Sequence, residues 1–331
     1  MAVDTAVPTA VDRSVDMSVD LAGALLPSPM MTASGCAANG PELARLFDLT
    51  ELGAFVTKSV MAEPRSGRGT PRMSETPSGM LNSIGLQGPG ISAFVEKDLA
   101  WLDRAGARAL VSIAGNTSGE FADVAAALRA SDAFGCVVGV EVNISCPNVA
   151  NRGLVFACDP LASAKVVALV REQLPRDVPI FAKLTPDVTD IVSVAQACVK
   201  AGASGLTMIN TLLGMVIDTD RLRPQVAGVT GGLSGPAVRP VAVRAVWQTR
   251  AAMLEGRLPV VPIIGVGGVR TGRDALELVA AGASAVQVGT ATFNDPTAPV
   301  RVGRELAQLL RDKGFERLTD AVGVAHGRVA R

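Results

Sequence analysis

The chain has no tyrosine and a single histidine, His326, close to the C-terminal end. Histidine carries most proton-transfer chemistry near neutral pH, so a base anywhere before it must come from Cys, Lys, Asp or Glu. Long apolar runs are missing too. The longest, 260–266, contains a proline and falls far short of the roughly 20 residues needed to cross a bilayer. Neither charge dominates, because Lys+Arg and Asp+Glu each total 31, and no basic run interleaves with aromatics to mark a nucleic-acid surface. The N-terminus sets Asp4, Asp12, Asp16 and Asp20 against Arg13, the wrong charge for a secretion or import signal. Five cysteines occur without a C-x-x-C pair, which argues against a disulfide framework or a zinc site and for a reducing compartment. Together these absences describe a cytoplasmic small-molecule enzyme with no metal, membrane or nucleic-acid partner.

Residues 1–20 lack helical or strand periodicity and read as a mobile extension, leaving 21–331 as one domain. Within it, short β-rich runs alternate with helical Ala/Leu/Arg-rich segments eight times. The runs are 30–33, 54–57, 109–114, 139–144, 180–184, 205–209, 261–266 and 285–288. Helices are expected over 41–48, 91–105, 119–130, 160–174, 189–201, 238–253, 272–281 and 299–313. Eight β/α units predict a TIM (β/α)8 barrel with its site at the strand C-terminal ends; an open doubly wound sheet is the alternative.

The strand ends carry the chemistry. Ser34-Gly35 follows the first run, Lys58-Ser59 the second, Asn143 and Cys146 the fourth, and Asn210-Thr211 the sixth, while Lys183 lies in the fifth. Any one could be a turn residue; together they point to a single polar pocket. Only 6 of the 31 basic residues are lysines, and two of the six stand at these strands, where a compact ammonium suits a tight pocket better than a guanidinium. Pairing with a carboxylate across the barrel mouth is the other reading of each lysine. Gly267-Gly268 and Gly289-Thr290 follow the last two strands, where barrels often bind phosphate on backbone N–H groups. A third glycine cluster, 230–236, lies in the connection after the sixth run. The connection 64–90 is too long for a plain βα loop and reads as a lid or binding surface, with Asn82, Ser83, Ile84, Gly85 and Leu86 at its core. Cys146 sits in a loop just past a strand that Pro147 stops, either as a buried structural thiol or as a reactive one.

These motifs, in this order, resemble the soluble (class 1) dihydroorotate dehydrogenases over nearly all of 20–330. The resemblance rests on Ala33-Ser34-Gly35, Thr57-Lys58, the run Gly79 to Gln87, Asn143-Ile144-Ser145-Cys146-Pro147-Asn148, Lys183-Leu184, Ile209-Asn210-Thr211, Gly231 to Pro236, Gly267-Gly268 and Val288-Gly289-Thr290. It implies a barrel that binds FMN and oxidises dihydroorotate to orotate in pyrimidine synthesis, with Cys146 as the catalytic base. By the same resemblance Ser34, Lys58, Ser59, Asn143, Lys183, Ile209, Gly235, Gly267, Gly268, Gly289 and Thr290 would hold the flavin. Lys58, Asn82, Ser83, Ile84, Gly85, Leu86, Asn143, Asn210 and Thr211 would hold the substrate.

Cysteine at position 146, with no membrane segment, resembles the soluble class rather than the quinone-reducing one. The runs Leu81 to Gln87, Ser234 to Ala237 and Ala283 to Thr290 look most like the NAD-linked (class 1B) catalytic subunit. That branch implies a homodimer paired with an iron–sulfur and FAD subunit in a heterotetramer; the fumarate-using homodimer branch is the runner-up. Ser112 stands where the NAD-linked branch usually has a flavin-contacting Asn, Gly88 replaces a usual Asn, and the acidic N-terminus is atypical. Rival readings are an FMN barrel acting on another pyrimidine or cyclic amide, a non-catalytic flavin barrel, and a Schiff-base lyase using Lys183 as an amine nucleophile.

Overall fold

The computed structural model describes residues 14–145, 147–148 and 154–328. Eight parallel strands form one sheet: β1 Met30–Thr32, β2 Phe55–Val56, β3 Ala109–Ile113, β4 Val137–Asn143, β5 Ile180–Leu184, β6 Gly205–Met208, β7 Ile263–Val266 and β8 Ala285–Val288. β8 pairs with β1, and a parallel bridge from Met31 to Ala54 joins β1 to the start of β2. The sheet therefore closes, as the eight-fold alternation predicts, and the open doubly wound alternative falls away. Inside the barrel the Phe181 ring is almost fully buried. A Cβ on Gly205 of the neighbouring strand would lie 2.5 Å from that ring. Glycine there makes the room that the aromatic ring fills.

The helices pack outside. They are α1 (91–104, with a π turn over Phe94–Leu99), α2 Ser118–Arg129, α3 Pro160–Gln173, α4 Ile191–Lys200, α5 Arg239–Leu254, α6 Gly272–Ala281 and α7 Ala298–Asp312. Their starts are written in the sequence: Thr117, Asp159, Asp190 and Thr271 each accept from backbone N–H groups of the first turn, satisfying donors that have no partner within the helix. The helix expected over 41–48 does not form. Two 3-10 turns, Leu43–Arg45 and Leu49–Glu51, take its place, the second begun by the Asp48 carboxylate accepting from the Thr50 N–H.

One further expectation changes. Residues 14–20 are part of the folded body rather than of an extension: Asp16 bridges Arg317, and Val19–Leu21 forms a hairpin with Ala24–Leu26 at the end of the barrel where the strands begin. Leu21 and Leu26 are buried there. The 64–90 connection, read as a lid or binding surface, contains two strands: Met73–Thr76 pairs with Gly79–Asn82, which continues through Gly231–Ser234 to Leu212–Gly214. This four-stranded antiparallel excursion brings the connections after β2 and β6 together over the opposite end of the barrel.

Candidate active site

The excursion and the C-terminal ends of the strands enclose a cavity of about 1640 Å³. It gathers the polar residues that the strand pattern singles out. Ser34, Lys58 and Ser59 line it from β1 and β2, and Asn143, Lys183, Ile209, Asn210 and Thr211 from β4 to β6. Gly235, Gly267, Gly268, Gly289 and Thr290 form the wall beyond β6 to β8. Asn82, Ser83, Ile84, Gly85 and Leu86 close it from the excursion side. Cys146 lies outside the described residues; Ser145, its neighbour in the chain, lines the cavity.

Hydrogen bonds fix much of this set. Ser59 Oγ is a hub, 3.2 Å from Ser34 Oγ, 2.9 Å from Ser112 Oγ and 3.1 Å from the Asn143 Nδ2 that donates to it. Asn143 Oδ1 accepts from the Ser145 N–H at 3.3 Å and from Asn210 Nδ2 at 3.4 Å, and Asn210 Oδ1 accepts from the Thr211 N–H. Side chains from β1, β2, β3, β4 and β6 are thus joined before any ligand arrives. The network also takes in Ser112, which is fully buried and meets the Ser59 hydroxyl.

The turn at 83–86 has its own constraint. Gly85 (φ 79°) and Leu86 (φ 53°) both take left-handed backbone, which glycine adopts freely and leucine rarely. The Leu86 side chain packs on Met61 and Ala114, and Asn82 Nδ2 donates to the Gly232 carbonyl. Arg68 ties the turn down, its backbone N–H bonding to Ile84 O and its guanidinium donating to Ser83 Oγ and Gly228 O. Sequence reading passed over this arginine, because it falls in a Gly/Pro-rich stretch without periodicity.

At the far wall Gly267 (φ 142°) and Gly268 (φ 73°) need glycine. A Cβ on Gly268 would come within 2.9 Å of Gly235 O and 2.7 Å of Arg239 Cβ, where α5 begins. Thr290 Oγ1 donates to Ser234 Oγ at 2.8 Å. A bare backbone wall beside hydroxyls suits phosphate oxygens, and the two ammonium groups with the amide and hydroxyl set suit a ring that carries carbonyls. The residues therefore fit a phosphate-bearing flavin.

Beneath the cavity the sequence reading missed a buried cluster. Lys183 Nζ is 3.1 Å from Glu141 Oε1, and Gln287 Nε2 donates to Glu141 Oε2 at 2.8 Å. Glu141 and Gln287 are fully buried and Lys183 nearly so. The signal was available, since Glu141 and Gln287 each stand between two valines in a buried strand, where a polar residue requires a partner. Lys183 does pair with a carboxylate, the second reading weighed for it. That setting is the opposite of the apolar surroundings that make a lysine amine nucleophilic, and it removes the basis for the Schiff-base reading. Cys36, also passed over, lines the cavity; burial pushes its thiol up to about 11, against the pull of the Lys183 and Lys58 charges. Among the described residues no group of His, Cys, Asp and Glu side chains is placed to hold a metal ion, and no helix is long and apolar enough to cross a membrane.

The family model described as "Dihydroorotate dehydrogenase" matches residues 16–310. The chain belongs to the dihydroorotate dehydrogenase family. Membership makes it a flavin-dependent oxidoreductase by kinship, in keeping with the fit of its cavity. A relative from Geobacter sp. (strain M21), named "Dihydroorotate dehydrogenase B (NAD(+)), catalytic subunit", is 49% identical over 303 residues, covering 92% of this chain and 96% of the relative. One from Citrifermentans bemidjiense bears the same name at 49% identity and the same coverage, and one from Geobacter sulfurreducens at 48%. These relatives carry the NAD-linked branch name that the motifs of the glycine-rich runs indicated.

Proposed function

We propose that this chain oxidises (S)-dihydroorotate to orotate with FMN as its flavin, as a step in making pyrimidines. The observation that carries the reading is the single cavity in which hydroxyls, amides, two lysines and the glycine wall of the last two strands meet, in a chain nearly half identical to relatives of that name. FMN, when bound, supplies the hydride acceptor. Gly267, Gly268, Gly289 and Thr290 receive its phosphate, while Ser34, Ser59, Asn143, Lys183, Ile209 and Gly235 hold the remainder. Lys58 would lie near both flavin and substrate. Asn82, the turn Ser83 to Leu86, Asn143, Asn210 and Thr211 bind the substrate ring, with Asn143, Asn210 and Thr211 already linked by hydrogen bonds and so held in position.

Cys146 is the base in this reading. Its thiolate takes a proton from the carbon beside the carboxyl-bearing carbon, the carboxyl-bearing carbon releases hydride, and the electron pair left by the proton closes the new double bond. Electrons then leave through an iron–sulfur and FAD partner subunit to NAD, in a heterotetramer built on a homodimer in the cytoplasm. The excursion and its 212–231 connection carry Leu213, Met215, Ile217, Leu222 and Val229 as exposed apolar residues, surface of the kind that assembly covers.

The test is the pH dependence of dihydroorotate-driven flavin reduction, with Cys146→Ala beside the wild type. A free thiol ionises near roughly 8.5, so the rate should rise from about pH 6 to 9, and the variant should lose on the order of 10²–10⁴ of it while still binding FMN. A variant that retains wild-type reduction rates would remove Cys146 as base.

A further inference from the structure

The buried Glu141–Lys183–Gln287 cluster has no place in the hydrogen-bonded set that faces the ligands, yet it joins three strands. Lys183 lines the cavity; Glu141 and Gln287 do not. The carboxylate of Glu141 is used on both oxygens, one by the ammonium and one by the amide. A fully buried carboxylate is costly to keep unless it is paired and bonded in this way, and a buried ammonium deprived of its counter-ion tends to give up its proton. Among the described residues, the other groups placed beside Lys183 are poor counter-ions. Asn143 and Thr207 flank it in register on β4 and β6, Cys36 is held neutral by burial, and Lys58, close enough to act on the same thiol, carries like charge.

We propose that Glu141, backed by Gln287, is the positioning residue that keeps Lys183 charged and aimed into the cavity, where Lys183 holds the flavin. The chain thereby fixes a cation at the cavity with a carboxylate that does not itself line it. Gln287 sets the carboxylate's orientation through its second oxygen, which leaves the first for the ammonium.

This inference rests on the FMN reading, and the experiment separates the two. The dissociation constant of FMN is measured by fluorescence on apo-protein from about pH 6 to 9 for wild type, Glu141→Gln, Lys183→Met and the double variant. Relative to wild type, Glu141→Gln should bind nearly normally at the acid end and weaken with rising pH by up to about tenfold per pH unit, the slope for loss of one proton. Lys183→Met should be weakened by a constant factor at all pH values, and the double variant should match Lys183→Met, because without the ammonium the carboxylate has nothing to position. A level Glu141→Gln to wild-type ratio, or penalties that add in the double variant, would overturn the proposal. If Glu141→Gln does not fold, Gln287→Leu carries the test, with the same sign expected at smaller slope and a level ratio again overturning it. Wild-type protein that takes up no FMN would sink the cofactor reading instead.

Discussion

The two ends of the barrel use polar residues in opposite ways. At the end where the strands begin, long side chains close off backbone. Arg108 donates to the carbonyls of Gly53, Thr50 and Leu52, and Arg171 to those of Val178, Leu174 and Pro175. One guanidinium with its five donors can satisfy several loop carbonyls at once, and the 19–26 hairpin packs Leu21 and Leu26 over the same region. At the other end short hydroxyls, amides and lysines face a cavity, and their hydrogen bonds leave donors and acceptors pointing inward. One end is closed by the chain's own groups and the other presents its groups to a cavity. That division explains why lysine, scarce in the sequence, stands at two strands of the site while arginine does the structural work.

Substitutions at each end should therefore separate stability from turnover. The largest effect is expected for Leu21→Ala, which empties a fully buried position and should lower unfolding free energy by about 2–5 kcal/mol, read by denaturant titration, with kcat/KM unchanged. Next comes Asn143→Ala, which removes the amide that joins Ser59, Ser145 and Asn210. It should lower kcat/KM for dihydroorotate on the order of 10²-fold with little change in Tm. Arg108→Met should cost about 1–3 kcal/mol of stability and leave turnover alone. A Leu21 or Arg108 variant that lost activity in proportion to nothing in its melting curve would break the comparison.

The smallest effect sharpens it. Burial pushes the thiols of Cys36 and Cys136 up to about 11 and that of Cys198 up to about 12, whereas Cys158, raised by partial burial and by Asp187, remains exposed. Brief alkylation near pH 8, followed by peptide mass spectrometry, should label Cys158 well before these three. The sign follows from protonation: a raised thiol pKa leaves less thiolate at the working pH. Labelling of Cys36 ahead of Cys158 would mean that the cavity end is less enclosed than its lining suggests.

The barrel was legible because its strands are β-branched runs cut by Gly, Pro or Asn, and because Thr or Asp caps open most of its helices. The strand-end residues were legible for the same reason: once the strands are placed, their last residues are too. What stayed hidden depended on distant partners. Met73–Thr76 and Gly79–Asn82 are rich in Gly, Ser, Thr and Met; they pair with each other, and Gly79–Asn82 pairs in turn with the distant Gly231–Ser234. The 41–48 segment has helical composition, but Asp48 starts a 3-10 turn at its end. Glu141 and Gln287 sit 146 residues apart and meet only after the sheet closes. Val15, Met17 and Val19 lie in a segment whose acidic, Ser/Thr-rich composition masked their packing on the core.

The most direct test of the account is anaerobic mixing of FMN-loaded protein with dihydroorotate, with dihydrouracil, which lacks the carboxylate, as the control. The visible flavin absorbance should bleach with dihydroorotate as orotate appears, and should stay unchanged with dihydrouracil. A yellow protein that dihydroorotate leaves unbleached would contradict the claim that this cavity oxidises it.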